Sequence, residues 1–314
     1  MENTVSTHQP QCRRWWTSAR RLLPSLCPRR AWFLILGGLL FLASLAASPA
    51  RAQDHLIFCN RPEKIRLPGA YADAPLIAGR TYTIFFHYKN VTAQPGPLVI
   101  ALQGSRGEPI LLDVRKGVAD AQREPPLAGR QAMARFLSAP EKRYRGTGGA
   151  RFVMTLKQRQ VASGVMTVRA DQDARLRIYF RHNKWTVPGA RVVAVDAPRR
   201  DIEIALSPEA RQQYFRIGAP EAGMSEHLDG TYGMLYAFRV NAPAGRKVRV
   251  MFSPRGGQGG LVGSVGGVLR QSRIVGTAGW AVFCVARVGA EGMVLTTSPF
   301  GGVFYPVELM FQLL

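Results

Sequence analysis

Arg80-Thr-Tyr-Thr-Ile-Phe-Phe-His-Tyr-Lys89 is the stretch on which the fold turns. Tyr82, Ile84, Phe86 and Tyr88 fall on one face at period two. Thr81, Thr83 and His87 fall on the other, with Phe85 the exception. Successive side chains of an extended chain point to opposite faces, so the pattern predicts a half-buried antiparallel strand.

Working outward, short apolar runs bounded by turn residues recur along the chain. Strands are expected at 56–59, 98–102, 109–114, 152–156, 165–170, 175–180, 190–195 and 202–206. Further ones are expected at 233–240, 247–252, 261–269, 281–288, 293–297 and 307–313. Leu67-Pro68-Gly69 reads as a turn, and Gly104-Ser105-Arg106-Gly107 as a hairpin turn between two neighbouring strands. Met133, Phe136 and Leu137 stand at i, i+3, i+4, which predicts one short helix over 129–138, stopped by Pro140 and packed on a sheet end. Strands at this spacing with Gly/Pro turns imply sandwiches or barrels. The fold expected is all-β: two tandem β-sandwich-like domains, 53–198 and 199–314, joined at Pro198-Arg199-Arg200, with the helix in the first. No repeat of 20–50 residues is evident. The Gly-rich run 256–267 lacks a phosphate-loop pattern and reads as a hairpin or twisted edge strand.

Ahead of this body stands a leader. Three Arg-Arg pairs precede an uncharged apolar run from Ala31, and the run exits through Ala50-Arg51-Ala52 before Gln53. Basic, apolar and small-residue regions in that order are the layout of a secretory signal, with residues 1–52 removed on export. The rival is an anchor in the inner membrane over 31–50. The apolar run is short against the ~20 residues of a full span, and Pro49 would end a helix there. Arg20-Arg21-Leu22-Leu23 loosely matches a twin-arginine signal, although ordinary positive-inside charge explains it. No cysteine directly follows the run to carry a lipid. The expected location is extracytoplasmic: periplasm, cell surface or medium, with the membrane touched only by the leader.

The chain carries a formal charge of +22; residues 1–52, with seven Arg and one Glu, account for +6, leaving +16 on the remainder. Such a field favours polyanions, and a G- and C-rich genome would produce the same Arg-heavy composition. Cys12 and Cys27 leave with the leader. Cys59 and Cys284 lie in apolar runs and read as two buried free thiols, a Cys59–Cys284 disulfide being the minority reading.

Four short segments recur in order across most of the body: Asn60-Arg-Pro-Glu63, Phe86-His-Tyr-Lys-Asn90, Gly230-Thr-Tyr-Gly233 and Tyr305-Pro-Val307. With them the chain resembles secreted bacterial proteins of unknown function, of a type known from cyanobacteria, that carry two β-domains. The resemblance implies a two-domain β fold outside the cytoplasm and carries no catalytic residues.

No cofactor motif is present, and His55, His87, His182 and His227 show no metal-ligand spacing; surface or turn positions explain them. No serine sits in a nucleophile elbow. The candidates for hydrolysis are Glu226, His227 and Asp229, in a polar loop with Glu221 and Tyr232. The candidates for anion or glycan binding lie in Arg175-Leu-Arg-Ile-Tyr-Phe-Arg-His-Asn-Lys-Trp185. Leu176, Ile178 and Phe180 should point inward, leaving Arg175, Arg177, Tyr179 and Arg181 on the outer face with Trp185 close by. Asn90-Val91-Thr92 matches a glycosylation sequon. The function expected is therefore an exported, non-catalytic binding or scaffolding protein of the cell envelope that contacts anionic polymers. The alternative is an extracytoplasmic hydrolase acting on glycan or peptide, marked by a cleft with a His–acid pair. A third reading is nucleic-acid binding without sequence preference, driven by charge alone.

Overall fold

The computed structural model describes residues 55–104, 108–196, 199–219, 230–277 and 279–314. All of them fall in one compact unit, Ala52–Leu314. The protein is mostly β. Twenty strands are described, with one helix, α1 (Pro125–Ser138). The strands are β1 (His55–Arg61), β2 (Lys64–Ile65), β3 (Gly69–Leu76), β4 (Thr81–Asn90), β5 (Gly96–Gly104), β6 (Ile110–Val118), β7 (Lys142–Gly146), β8 (Ala150–Leu156), β9 (Val161–Ala170) and β10 (Ala174–Phe180). After these come β11 (Arg191–Asp196), β12 (Arg199–Ala205), β13 (Gln212–Ile217), β14 (Leu235–Asn241), β15 (Lys247–Pro254) and β16 (Val262–Val265). The last four are β17 (Val268–Gln271), β18 (Ala281–Arg287), β19 (Met293–Thr297) and β20 (Val307–Leu313).

The strand order reveals a duplication. One sheet runs β11-β1-β4-β9-β6-β7, with β2 on β4, and faces a sheet β3-β10-β5-β8. The later sheets run β12-β14-β19-β16-β17 and β13-β20-β15-β18. Strands β3–β10 and β13–β20 thus occupy the same places, number for number. Two facing four-stranded sheets wound in this order form a jelly roll. The first roll is preceded by β1 and the short β2, both laid parallel to β4, and the second by β12, laid parallel to β14. The repeat is invisible in the sequence because jelly-roll pairings need only alternation and turns, which many residue sets satisfy.

The rolls differ where β6 meets β7. In the second roll the corresponding link is Gly266-Gly267, both at positive φ (55° and 82°), a two-residue turn that matches strand twist. In the first roll the link carries α1. Pro125 and Pro126 start the helix, where missing N–H groups cost nothing. From β6, Arg115 donates to the Phe136 and Leu137 carbonyls at 2.8 and 2.9 Å, capping the helix end.

The helix packs across β6 and β9, not on a sheet end. Its Met133 and Phe136 join one apolar cluster with Leu56, Phe58, Phe85 and Val165 of the first roll and Met234, Phe238 and Phe300 of the second. For this reason β4 is buried on both faces rather than half-buried: Thr83, Phe85 and His87 are each at most 2 % exposed. Phe85, the exception to alternation, marks that second interface.

Three further expectations change. Gly69 begins strand β3 and is not merely part of a turn. Strands β5 and β6 lie in opposite sheets, so the connection after Gly104 is a crossover and not a hairpin. The run expected at 261–269 is broken into β16 and β17 by the Gly266-Gly267 turn. The leader, including Ala50, Ala52 and Gln53, lies outside the described residues, as does Pro198.

Candidate functional site

The outer face of the β3-β10-β5-β8 sheet holds the basic row. Leu176, Ile178 and Phe180 are fully buried, which turns Arg175, Arg177 and Tyr179 outward. Register then sets the neighbours. Asp73, Arg177, Ala101 and Arg151 stand in one rung across four strands, and Tyr179, Val99 and Val153 in the next. The Arg151 guanidinium lies 5.9 Å from the Tyr179 ring centroid, so it reaches over β5 and covers Ala101 and Val99. Asp73 pairs with Arg175 and stands 3.4 Å from Arg177. Two guanidinium groups thus share one carboxylate on this face, and the third, that of Arg151, stands by the Tyr179 ring.

One residue expected in the row, Arg181, leaves it, and Trp185, expected close by, lies beyond the end of β10. Arg181 lies past the end of β10 at φ 64°, and its guanidinium donates to the Pro95 carbonyl at 2.7 Å. Trp185 is 53 % exposed, donates its indole N–H to Pro68 at 3.1 Å and meets His182 edge-on at 4.2 Å. Arg151, which sequence reasoning missed, takes Arg181's place. Its only signal was alternation within 150–156, and its position opposite Arg177 depends on strand order.

The hydrolytic candidates Glu221, Glu226, His227 and Asp229 lie outside the described residues. Cys59 and Cys284 are free thiols. Burial pushes the Cys59 thiol far up and Cys284 up to about 11, so neither forms a thiolate readily. Asn90 is wholly buried and bonded through both ends of its amide, to Gln94, Leu156 and Thr92, so its sequon is closed to any enzyme.

A second site was not foreseen. All four segments Asn60–Glu63, Phe86–Asn90, Gly230–Gly233 and Tyr305–Val307 meet where the rolls join. There two adjoining cavities of about 340 and 400 Å³ share Asn60, Glu63, Tyr232 and Phe304. His87 projects from β4 into the first. Gly301 closes against it: a Cβ there would stand 2.4 Å from His87 Nδ1, so only glycine lets the backbone lie on the imidazole. His87 is 2 % exposed, yet neither ring nitrogen has a hydrogen-bond partner, and Asn60 Oδ1 is likewise unpaired. An unpaired buried polar group costs ~1–3 kcal/mol, so such a cluster calls for an explanation.

Glu63 Oε1 lies 3.7 Å from His87 Nε2, too far for a hydrogen bond. Burial dominates at both groups. It lowers the His87 pKa to about 4, leaving a neutral ring, and raises that of Glu63 against the opposing pull of Lys64 and Lys89. The site's apolar side is a stack: Phe58 on Phe85 at 5.3 Å and Tyr232 on Phe85 at 5.5 Å, with the Tyr232 hydroxyl donating to Val303 at 2.7 Å. Phe304 stands 54 % exposed at the mouth.

Among the described residues, no group of three or more His, Cys, Asp or Glu is placed to hold a metal ion, and no helix is long and apolar enough to cross a membrane. No protein-family model matches the chain, and no curated protein matches its sequence.

Proposed function

We propose that this is an exported, non-catalytic binding or scaffolding protein of the cell envelope, and that it contacts anionic polysaccharide through the outer face of the first roll. The observation that carries the reading is the Arg177–Ala101–Arg151 rung. It roots two arginines two strands apart, ~10 Å between their backbone positions at the usual strand spacing, on a rigid sheet, with the Arg151 guanidinium reaching back to the Tyr179 ring. Arg forks bind carboxylate and sulfate in paired hydrogen bonds, and rings stack on sugars. The excess of +16 on residues 53–314 would draw such polymers in. Binding of polygalacturonate and of a sulfated dextran should be measured at low and high salt. Affinity should fall with salt, and the double change Arg151→Ser, Arg177→Ser should weaken it by about tenfold or more, since charge-assisted bonds are worth ~1.5–3 kcal/mol. Unchanged affinity would move the site elsewhere, and equal affinity for DNA would mean charge alone.

A hydrolase of glycan or peptide is the second reading, favoured by the cleft with its His87–Glu63 pair. It is the weaker one on chemistry. A ring with its pKa near 4 is a poor base, and among the described lining residues there is no second carboxylate and no Ser, Thr or Cys nucleophile. Release of reducing ends or amines from envelope material by the native protein, abolished by Glu63→Gln, would favour it instead.

A further inference from the structure

We propose that the cleft between the two rolls is a second binding site, and that it takes a neutral hydroxylated ring: a sugar unit of a glycan. It lies on a different surface from the basic face and uses different chemistry.

The inference rests first on the unpaired atoms. His87 is almost wholly buried, lines the cleft and has both ring nitrogens without a partner; Asn60 Oδ1 beside it has none either. Asn90, three residues along the same strand and equally buried, has its amide fully bonded. Tyr88, the residue after His87, and Ser163, opposite His87 on β9, also carry unpaired hydroxyls. Of these groups only His87 and Asn60 line the cleft, and polar groups left open at a cleft are what a ligand site requires.

The pattern of those atoms sets the ligand's class. A neutral imidazole offers one donor and one acceptor, and Asn60 Oδ1 and the Glu63 carboxylate offer acceptors. Hydroxyl groups, which donate and accept, match this set. An anion would meet Glu63, and a purely apolar ligand would leave His87 and Asn60 unpaired. Across the cleft stand Tyr232, held on the Phe85 ring, and the exposed Phe304. Aromatic faces pack on the C–H faces of a pyranose, whose hydroxyls then point to the polar wall. Volumes of about 340 and 400 Å³ in adjoining chambers suit one or two sugar units and fall in the ordinary range for small ligands.

The test is calorimetric titration of the protein, expressed from the full chain, with neutral oligosaccharides of glucose, mannose, galactose and N-acetylglucosamine. At least one series should bind. Phe304→Ala and Glu63→Gln, both at exposed or half-exposed side chains, should each weaken it at least tenfold with the melting temperature unchanged. Arg151→Ser with Arg177→Ser should leave it unaltered, which separates this site from the basic face. The proposal is overturned if no series binds at millimolar concentration, if neither cleft variant alters binding, or if choline binds there more tightly than any sugar, which would make the aromatic rings a cation cage.

Discussion

His87 shows how one residue's chemistry follows from what covers it. Alternation in 80–89 places it opposite the roll's core, where a histidine would ordinarily be solvated. The second roll and the 301–302 backbone bury it instead, and burial holds its pKa near 4 against the usual 6.5. The unfolded chain therefore binds a proton that the folded chain refuses. Stability from this residue is complete above about pH 6.5 and is lost as pH falls toward 4, by up to ~3 kcal/mol. Chemical denaturation across pH 4–7 should show that slope, and His87→Gln should flatten it; an unchanged slope in the variant would put the proton elsewhere. Asp113 acts in a lower window. Hydrogen bonds from Arg143 and Arg169 hold its carboxyl at about 2, so its contribution is present above about pH 4 and fades below it. The two effects are separable by pH alone.

At the scale of elements, α1 does more than the short helix expected from Met133, Phe136 and Leu137. It fills the face of β6 and β9 and supplies apolar side chains to the cluster shared by both rolls. The approach is close enough to need glycine. A Cβ on Gly117 would stand 2.1 Å from the Ala132 carbonyl oxygen and the Phe136 nitrogen, and one on Gly129 1.8 Å from the Gly301 oxygen. These are backbone atoms, which cannot swing aside. Gly117→Ala should therefore cost at least about 2 kcal/mol in denaturant titration, by overpacking. Phe136→Ala should cost ~3–5 kcal/mol, by leaving a cavity. Near-neutral results would mean that the helix is not held against the sheet. The helix itself was legible in the sequence, as was β10, because both depend on local periodicity. Its seat on the sheet face was not, since a helix's apolar stripe does not say which sheet it meets. Strands β3, β7 and β13 escaped notice because Gly, Pro, Arg and Gln obscure their alternation.

At the scale of the whole molecule, the two rolls repeat one strand order and share one apolar cluster, from Leu56 and Phe85 to Phe238 and Phe300. They should unfold together. Thermal unfolding followed by near-UV and far-UV dichroism should give one coincident transition, and residues 53–196 alone should aggregate with Phe58, Phe85 and Met133 uncovered. Two separate transitions would show rolls that stand independently. The sequence by itself determined the β character, most strand positions, the inward and outward faces of β10 and the strong positive charge. Each of these follows from properties local to the chain: two-residue alternation, the conformations that Gly and Pro favour, and a sum of ionisable groups. Only the tertiary structure decided that the rolls are duplicates, that Arg151 rather than Arg181 stands in line with Arg177, and that Asn60, Glu63, His87, Tyr232 and Phe304 surround one cleft. The physical reason is that strand pairing joins residues as distant as His55 and Asp196, and packing between the rolls joins residues as distant as His87 and Gly301, and no local preference specifies such partners.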